Sequence, residues 1–154
     1  MKKLLLLNVI LANIMFASVV VGEPLKPFSL ENQFDKKVTL SNDTKGVIFA
    51  FSKAVGHEVK GYLENKDPNY LDSKNILFVA DVSAMPSFIR WFVLDDLDKY
   101  PYSIVLIEDD DISKEYKPSE NKLDKIMFVI LENKKVKNIK YFESMKSFNE
   151  YISK

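Results

Sequence analysis

Gly46-Val47-Ile48-Phe49-Ala50-Phe51, running directly into Ser52-Lys53-Ala54-Val55-Gly56-His57-Glu58-Val59, is the stretch on which the fold turns. Its first half is an unbroken apolar run, the pattern of a strand buried on both faces of a sheet. In its second half Val55 and Val59, continued by Tyr62 and Leu63, recur at the spacing of one helical face. A buried strand feeding an amphipathic helix opens a βαβ unit, and a partner strand follows, where Asn75 precedes Ile76-Leu77-Phe78-Val79-Ala80. Right-handed crossovers make such strands parallel.

Two further apolar runs lie downstream. Ile104-Val105-Leu106-Ile107 is preceded by Pro101 and closed by Glu108-Asp109-Asp110-Asp111; Ile126 to Leu131 is closed by Glu132-Asn133-Lys134-Lys135, which reads as a turn. Beyond it, Val136 to Phe142 sets Lys137 and Lys140 among Ile139, Tyr141 and Phe142. That mixture predicts a half-solvated antiparallel edge strand whose lysines discourage edge-to-edge association. Between the strands Met85, Phe88, Ile89, Phe92 and Val93 are spaced to share one helical face, with Ser83 predicted as cap and Pro86 in the first turn, where its missing N–H costs little. Ser144 precedes a last amphipathic helix with Met145, Phe148 and Ile152 inward. The order β, α, β, α, β, a short helix near Ser113, β, β, α predicts a three-layer α/β domain: a mixed sheet with helices on both faces, closing in a β-hairpin plus helix.

The length of 154 residues suits one domain. Lys+Arg and Asp+Glu are both 22, so there is no broad positive surface for phosphate backbones, and nucleic acid is excluded as an expected partner. Cysteine is absent, which removes disulfides, thiolate nucleophiles, Fe–S clusters and thiolate zinc sites; one histidine removes His-rich metal centres. No cofactor is expected. At the N-terminus Lys2-Lys3 precede an apolar run from Leu4 to Phe16 that ends near Ala17 and Ser18. This has the form of a secretory signal peptide over residues 1–17, cleaved near Ala17 or as late as Gly22, ahead of a single domain over 18–154. The run is short for a membrane span, no cysteine follows to carry a lipid, and no stable membrane insertion is expected after cleavage. A bacterial periplasmic location follows as the expectation.

The residues also resemble a family. Gly22-Glu23-Pro24-Leu25-Lys26-Pro27-Phe28-Ser29-Leu30, continuing to Val38-Thr39-Leu40, resembles the opening of periplasmic thioredoxin-like and peroxiredoxin-like domains, with Asp35 to Lys37 where those carry a glycine turn. Tyr100-Pro101-Tyr102 through Ile112-Ser113-Lys114-Glu115-Tyr116 resembles their next strand and helix, and Met127 to Val136 their hairpin. Within that superfamily the pattern is similar to cysteine-less proteins of the YtfJ type, through Asp81-Val82-Ser83-Ala84-Met85-Pro86 and Tyr100-Pro101-Tyr102-Ser103. The resemblance implies a thioredoxin-like fold. Redox members carry a nucleophilic cysteine at a helix N-terminus after the first central strand; counted from Phe51, Gly56 and Val59 fall at the two cysteine positions. Their cis-proline place falls on Lys125 or Ile126, with Pro118 too early. Thiol oxidoreductase, isomerase and peroxidase activity is therefore not expected.

Other chemistry is sparse. His57 beside Glu58 suggests a proton shuttle, but neighbours in sequence do not face each other on a helix, and a surface loop residue is the plainer reading. Gly56 to Gly61 has phosphate-loop spacing, yet Tyr62-Leu63 replaces the Lys and Ser/Thr that loop needs. Asp109 and Asp111 are candidate Ca²⁺ ligands in a loop lacking EF-hand spacing, and Asp95, Asp96 and Asp98 form a second acidic group. Core packing is the expected fate of one of Trp91 and Phe92, with Trp91 off the Phe88/Phe92 face. The expectation is a binding or interaction module for a periplasmic protein or small ligand, with Lys53, His57, Glu58, Met85, Pro86 and Trp91 as its edge. The alternative is a carboxylate-based ligand- or divalent-cation-binding protein or enzyme using Asp81 or the Asp109 cluster.

Overall fold

The computed structural model describes residues 19–154, so the expected leader at 1–17 lies outside the described residues. The chain opens with a small antiparallel hairpin, β1 (Ser29–Glu31) and β2 (Lys37–Thr39), turned through Asp35 at φ 55°. The main sheet is built from β3 (Gly46–Ala50), β4 (Ile76–Asp81), β5 (Val105–Ile107), β6 (Ile126–Glu132) and β7 (Lys135–Phe142), in the spatial order β5-β4-β3-β6-β7. The expected mixture is observed: β3 and β4 are parallel, as are β4 and β5, while β6 runs antiparallel to both β3 and β7. The Asn133-Lys134 turn has positive φ at both residues, the twist a tight hairpin needs. Helices α1 (Lys53–Leu63), α2 (Ser87–Leu97), α3 (Asp110–Tyr116) and α4 (Met145–Ile152) complete the domain.

All of β3 is buried, which is why its sequence is apolar without alternation. Its side chains divide by parity between two cores. Ile48 and Ala50 join Val59 and Leu63 of α1, Leu97 of α2, and Met145 and Phe148 of α4 on one face. Val47 and Phe49 join Leu25, Phe28, Leu30 and Tyr116 of α3 on the other. Gly46 is needed because the Phe128 ring lies over it, and a Cβ there would overlap that ring. At the far end Ser52 caps α1 by accepting from the Val55 N–H (3.4 Å), and Ser144 caps α4 by accepting from the Ser147 N–H (3.3 Å).

Two expectations are overturned in α2. Ser83 does not cap α2, because its hydroxyl donates to Asp81 (2.6 Å), and the helix starts only after Pro86, whose ψ of 140° is non-helical. The shared face of α2 is split: Phe88, Ile89 and Phe92 are 69%, 43% and 65% exposed, Met85 and Val93 pack partly buried against the core, and Leu97 is the helix's only buried residue. Nor does the core take one of Trp91 and Phe92, since Trp91 is 66% exposed and packs edge-on against Phe92 with ring centroids 4.9 Å apart.

Candidate functional site

Between α1 and α2, at the C-terminal ends of β3 and β4, lies a cavity of about 290 Å³. Ala50 and Ala80, paired across β3 and β4, give its floor two small side chains, flanked by Phe78 and Ile104. The α1 wall is Lys53, Gly56, His57 and Lys60, successive positions on one helical face. The facing wall is Met85, just before α2, and Ile89, Phe92, Val93 and Asp96 of α2. Burial lowers the Lys60 pKa, and its Nζ sits 5.2 Å from the Tyr100 ring centroid. Asp96 is held below the usual carboxylate range, chiefly by the hydrogen bond that Lys99 donates to it at 2.6 Å.

The structure therefore brings together Lys53, His57 and Met85 of the expected edge, with Pro86 starting α2 beside Met85. Glu58 is not part of the groove. Its Oε1 accepts from the Met145 N–H at 2.7 Å, so it anchors the start of α4. Trp91 flanks a second hollow of about 210 Å³ bordered by Glu31, Asp35, Asp95, Asp98 and Glu108. Gly56 is one turn into α1, and Val59 is fully buried; the helix N-terminus, where an activated nucleophile would gain from the dipole, is Ser52-Lys53 instead.

The carboxylates of the alternative reading are already engaged. The Asp81 side chain is 3% exposed; Oδ1 accepts from the Ser83 N–H and hydroxyl, and Oδ2 accepts from the Ser113 hydroxyl (2.6 Å) and lies 3.4 Å from Lys117 Nζ. Asp109 caps α3, accepting from the Asp111 and Ile112 N–H groups at 2.8 and 3.0 Å, while Asp111 pairs with Lys114. Among the described residues no three His, Cys, Asp or Glu side chains converge on a metal-sized space. Sequence reasoning missed Lys60, Ile89 and Phe92 as groove residues. The run Lys53, Gly56-His57, Lys60 was readable as a polar face of α1, but its partner wall was not. It also missed Arg90, which donates to the carbonyls of Ser83, Met85 and Glu108 and so fastens the start of α2 to the sheet end.

This arrangement defines a thioredoxin-like fold without a thiol. The isomerase called a thio-disulfide isomerase from Thermus thermophilus matches with TM-score 0.52 at 18% identity, over 88% of this chain and 96% of that one. The thioredoxin domain of a thiol-disulfide oxidoreductase from Bacteroides vulgatus matches with TM-score 0.53 at 14% identity, over 87% and 99%. A peroxiredoxin-like protein from Aquifex aeolicus matches with TM-score 0.55 at 10% identity, over 88% and 85%. No protein-family model and no curated protein matches the chain. The similarity to these solved structures is one of fold, and the chain lacks the cysteine that thiol chemistry requires.

Proposed function

We propose that this protein is an exported, periplasmic thioredoxin-like domain that works by binding, through the α1–α2 groove and the apolar ridge of α2, and not by thiol chemistry. The observation that carries the reading is that ridge: Phe88, Ile89, Trp91 and Phe92 are all exposed on one short helix that borders a cavity. Scattered exposed apolar residues are ordinary, but four on one helix form a contiguous patch of the kind that marks contact surfaces. Export is supported by the Lys2-Lys3 and Leu4–Phe16 pattern.

A photoreactive residue in place of Phe92, used in the cell that makes the protein, is expected to give discrete adducts that Gly56→Leu removes. Adducts identical to those from Lys146 on α4 would sink the reading. Fractionation of the same cells, with sequencing of the mature N-terminus, checks export separately: full-length chain retained in the cytoplasm contradicts it.

A further inference from the structure

We propose that the α1–α2 groove holds a free single-chain anionic amphiphile: an apolar tail of about ten methylene-sized groups ending in a carboxylate. The proposal rests on the groove being this protein's binding site and names the class of ligand it takes. The tail follows from the lining. The floor and the α2 wall are apolar almost throughout, and the paired Ala50 and Ala80 leave a channel that larger side chains would fill. Gly56 keeps the α1 wall open, because a Cβ built there meets no atom within 4 Å. A cavity of about 290 Å³ holds on the order of ten groups at the ~30 Å³ each that a water-sized group occupies. That is room for one chain of this length within the groove.

The headgroup follows from the charges. Lys53, His57 and Lys60 line the α1 side of the groove, and neither lysine forms an ion pair among the described residues. Two carboxylates line the groove, and both are engaged: Asp96 is paired with Lys99, and Asp81 accepts from Ser83 and Ser113 and lies beside Lys117, while Glu58 of α1 is turned to the Met145 N–H. Asp96 and Glu64 act on Lys60 only from a distance, and burial lowers its pKa all the same. An incoming carboxylate supplies the counter-charge that the chain withholds.

The test titrates decanoate, decanol and decyltrimethylammonium, each below its aggregation concentration, into the full chain. Trp91, the only tryptophan, reports through its contact with the groove residue Phe92. Decanoate is expected to shift its emission saturably, decanol to bind about tenfold more weakly, and the cation not at all. Lys53→Gln with Lys60→Gln should weaken decanoate about tenfold and leave decanol unchanged. Gly56→Leu should abolish both, while Gly61→Leu, on the same helix but outside the groove, should not. Decanol binding as well as decanoate, with both lost in Gly56→Leu, overturns the headgroup assignment and leaves the groove standing as a site. Decanoate binding that survives Gly56→Leu, tighter binding to phosphatidylglycerol vesicles than to free decanoate, or no binding of any probe overturns the proposal. The crosslinking from position 92 judges the groove itself.

Discussion

Replacing Asp81 by alanine should cost this domain a large part of its stability, although nothing about the residue is catalytic. The side chain is almost fully enclosed and receives three hydrogen bonds, from the Ser83 N–H (3.0 Å), the Ser83 hydroxyl (2.6 Å) and the Ser113 hydroxyl (2.6 Å). Ser113 has no solvent exposure, so its hydroxyl loses its acceptor inside the protein when Asp81 is removed. A buried polar group left without a partner costs about 1–3 kcal/mol. The stranded Ser113 hydroxyl and Ser83 amide together therefore imply about 3 kcal/mol, with a small addition from Lys117, which is 30% exposed and can rehydrate. Against a typical domain stability of about 5–15 kcal/mol, that is enough to lower the melting temperature by about 10 °C. Urea unfolding followed by circular dichroism, with the slope unchanged, measures it. Asp81→Ala combined with Ser113→Ala should recover about 1 kcal/mol, since the double variant no longer buries an orphaned hydroxyl. A single Asp81→Ala variant within about 0.5 kcal/mol of the parent would refute the account of Asp81 as the tie between the end of β4 and α3.

Gly56→Ala and Gly61→Ala should each stabilise the protein by about 0.5–1 kcal/mol in the same urea experiment, because both sit inside α1 with open space where a Cβ would go. Glu58→Ala should cost about 1 kcal/mol and raise hydrogen exchange at the start of α4, and Glu58→Gln, which keeps an acceptor for the Met145 N–H, should cost less. Alkali should unfold the protein in a defined window. Burial pushes the Tyr116 phenol up to about 12 from its ordinary value of 10.0, and burial raises Tyr102 as well. An unfolded chain thus loses these protons first, so the stabilisation is complete below about pH 10 and falls away as pH rises towards about 12. Phenolate absorbance should show buried tyrosines titrating only together with loss of the circular dichroism signal; smooth titration of all of them in the folded state would contradict the burial.

The sheet was legible because its strands carry their burial in their own composition: β3 throughout and β6 from Ile126 to Leu131 are apolar and almost wholly buried. The lysines of β7 marked an edge for the same reason. The three-residue strands β1 and β2 were not read as elements, since so short a segment shows no alternation. Helix α2 exposes the main gap. The spacing of Phe88, Ile89 and Phe92 correctly gives a common face, but periodicity says only that residues point the same way, not whether that way is the core. Here Arg90 fastens the helix start to backbone carbonyls and Leu97 its end to the core, and the apolar face between them is left towards the groove and solvent. The groove joins α1 to α2 across residues distant in sequence, so only its Lys53-to-Lys60 wall was visible beforehand.

The position of β3 also governs when the chain can fold. Gly46 of this central strand pairs with Ile76 on one side and with Ile130 on the other, so one of its two neighbours is supplied by the last quarter of the sequence. Long-range strand pairing of this kind delays closure of the sheet, because the intervening chain must be ordered before the contact repays it. During synthesis this fully buried strand waits with one bare edge until β6 has emerged. The same strand that holds the finished domain together is therefore the segment most in need of a chaperone before then.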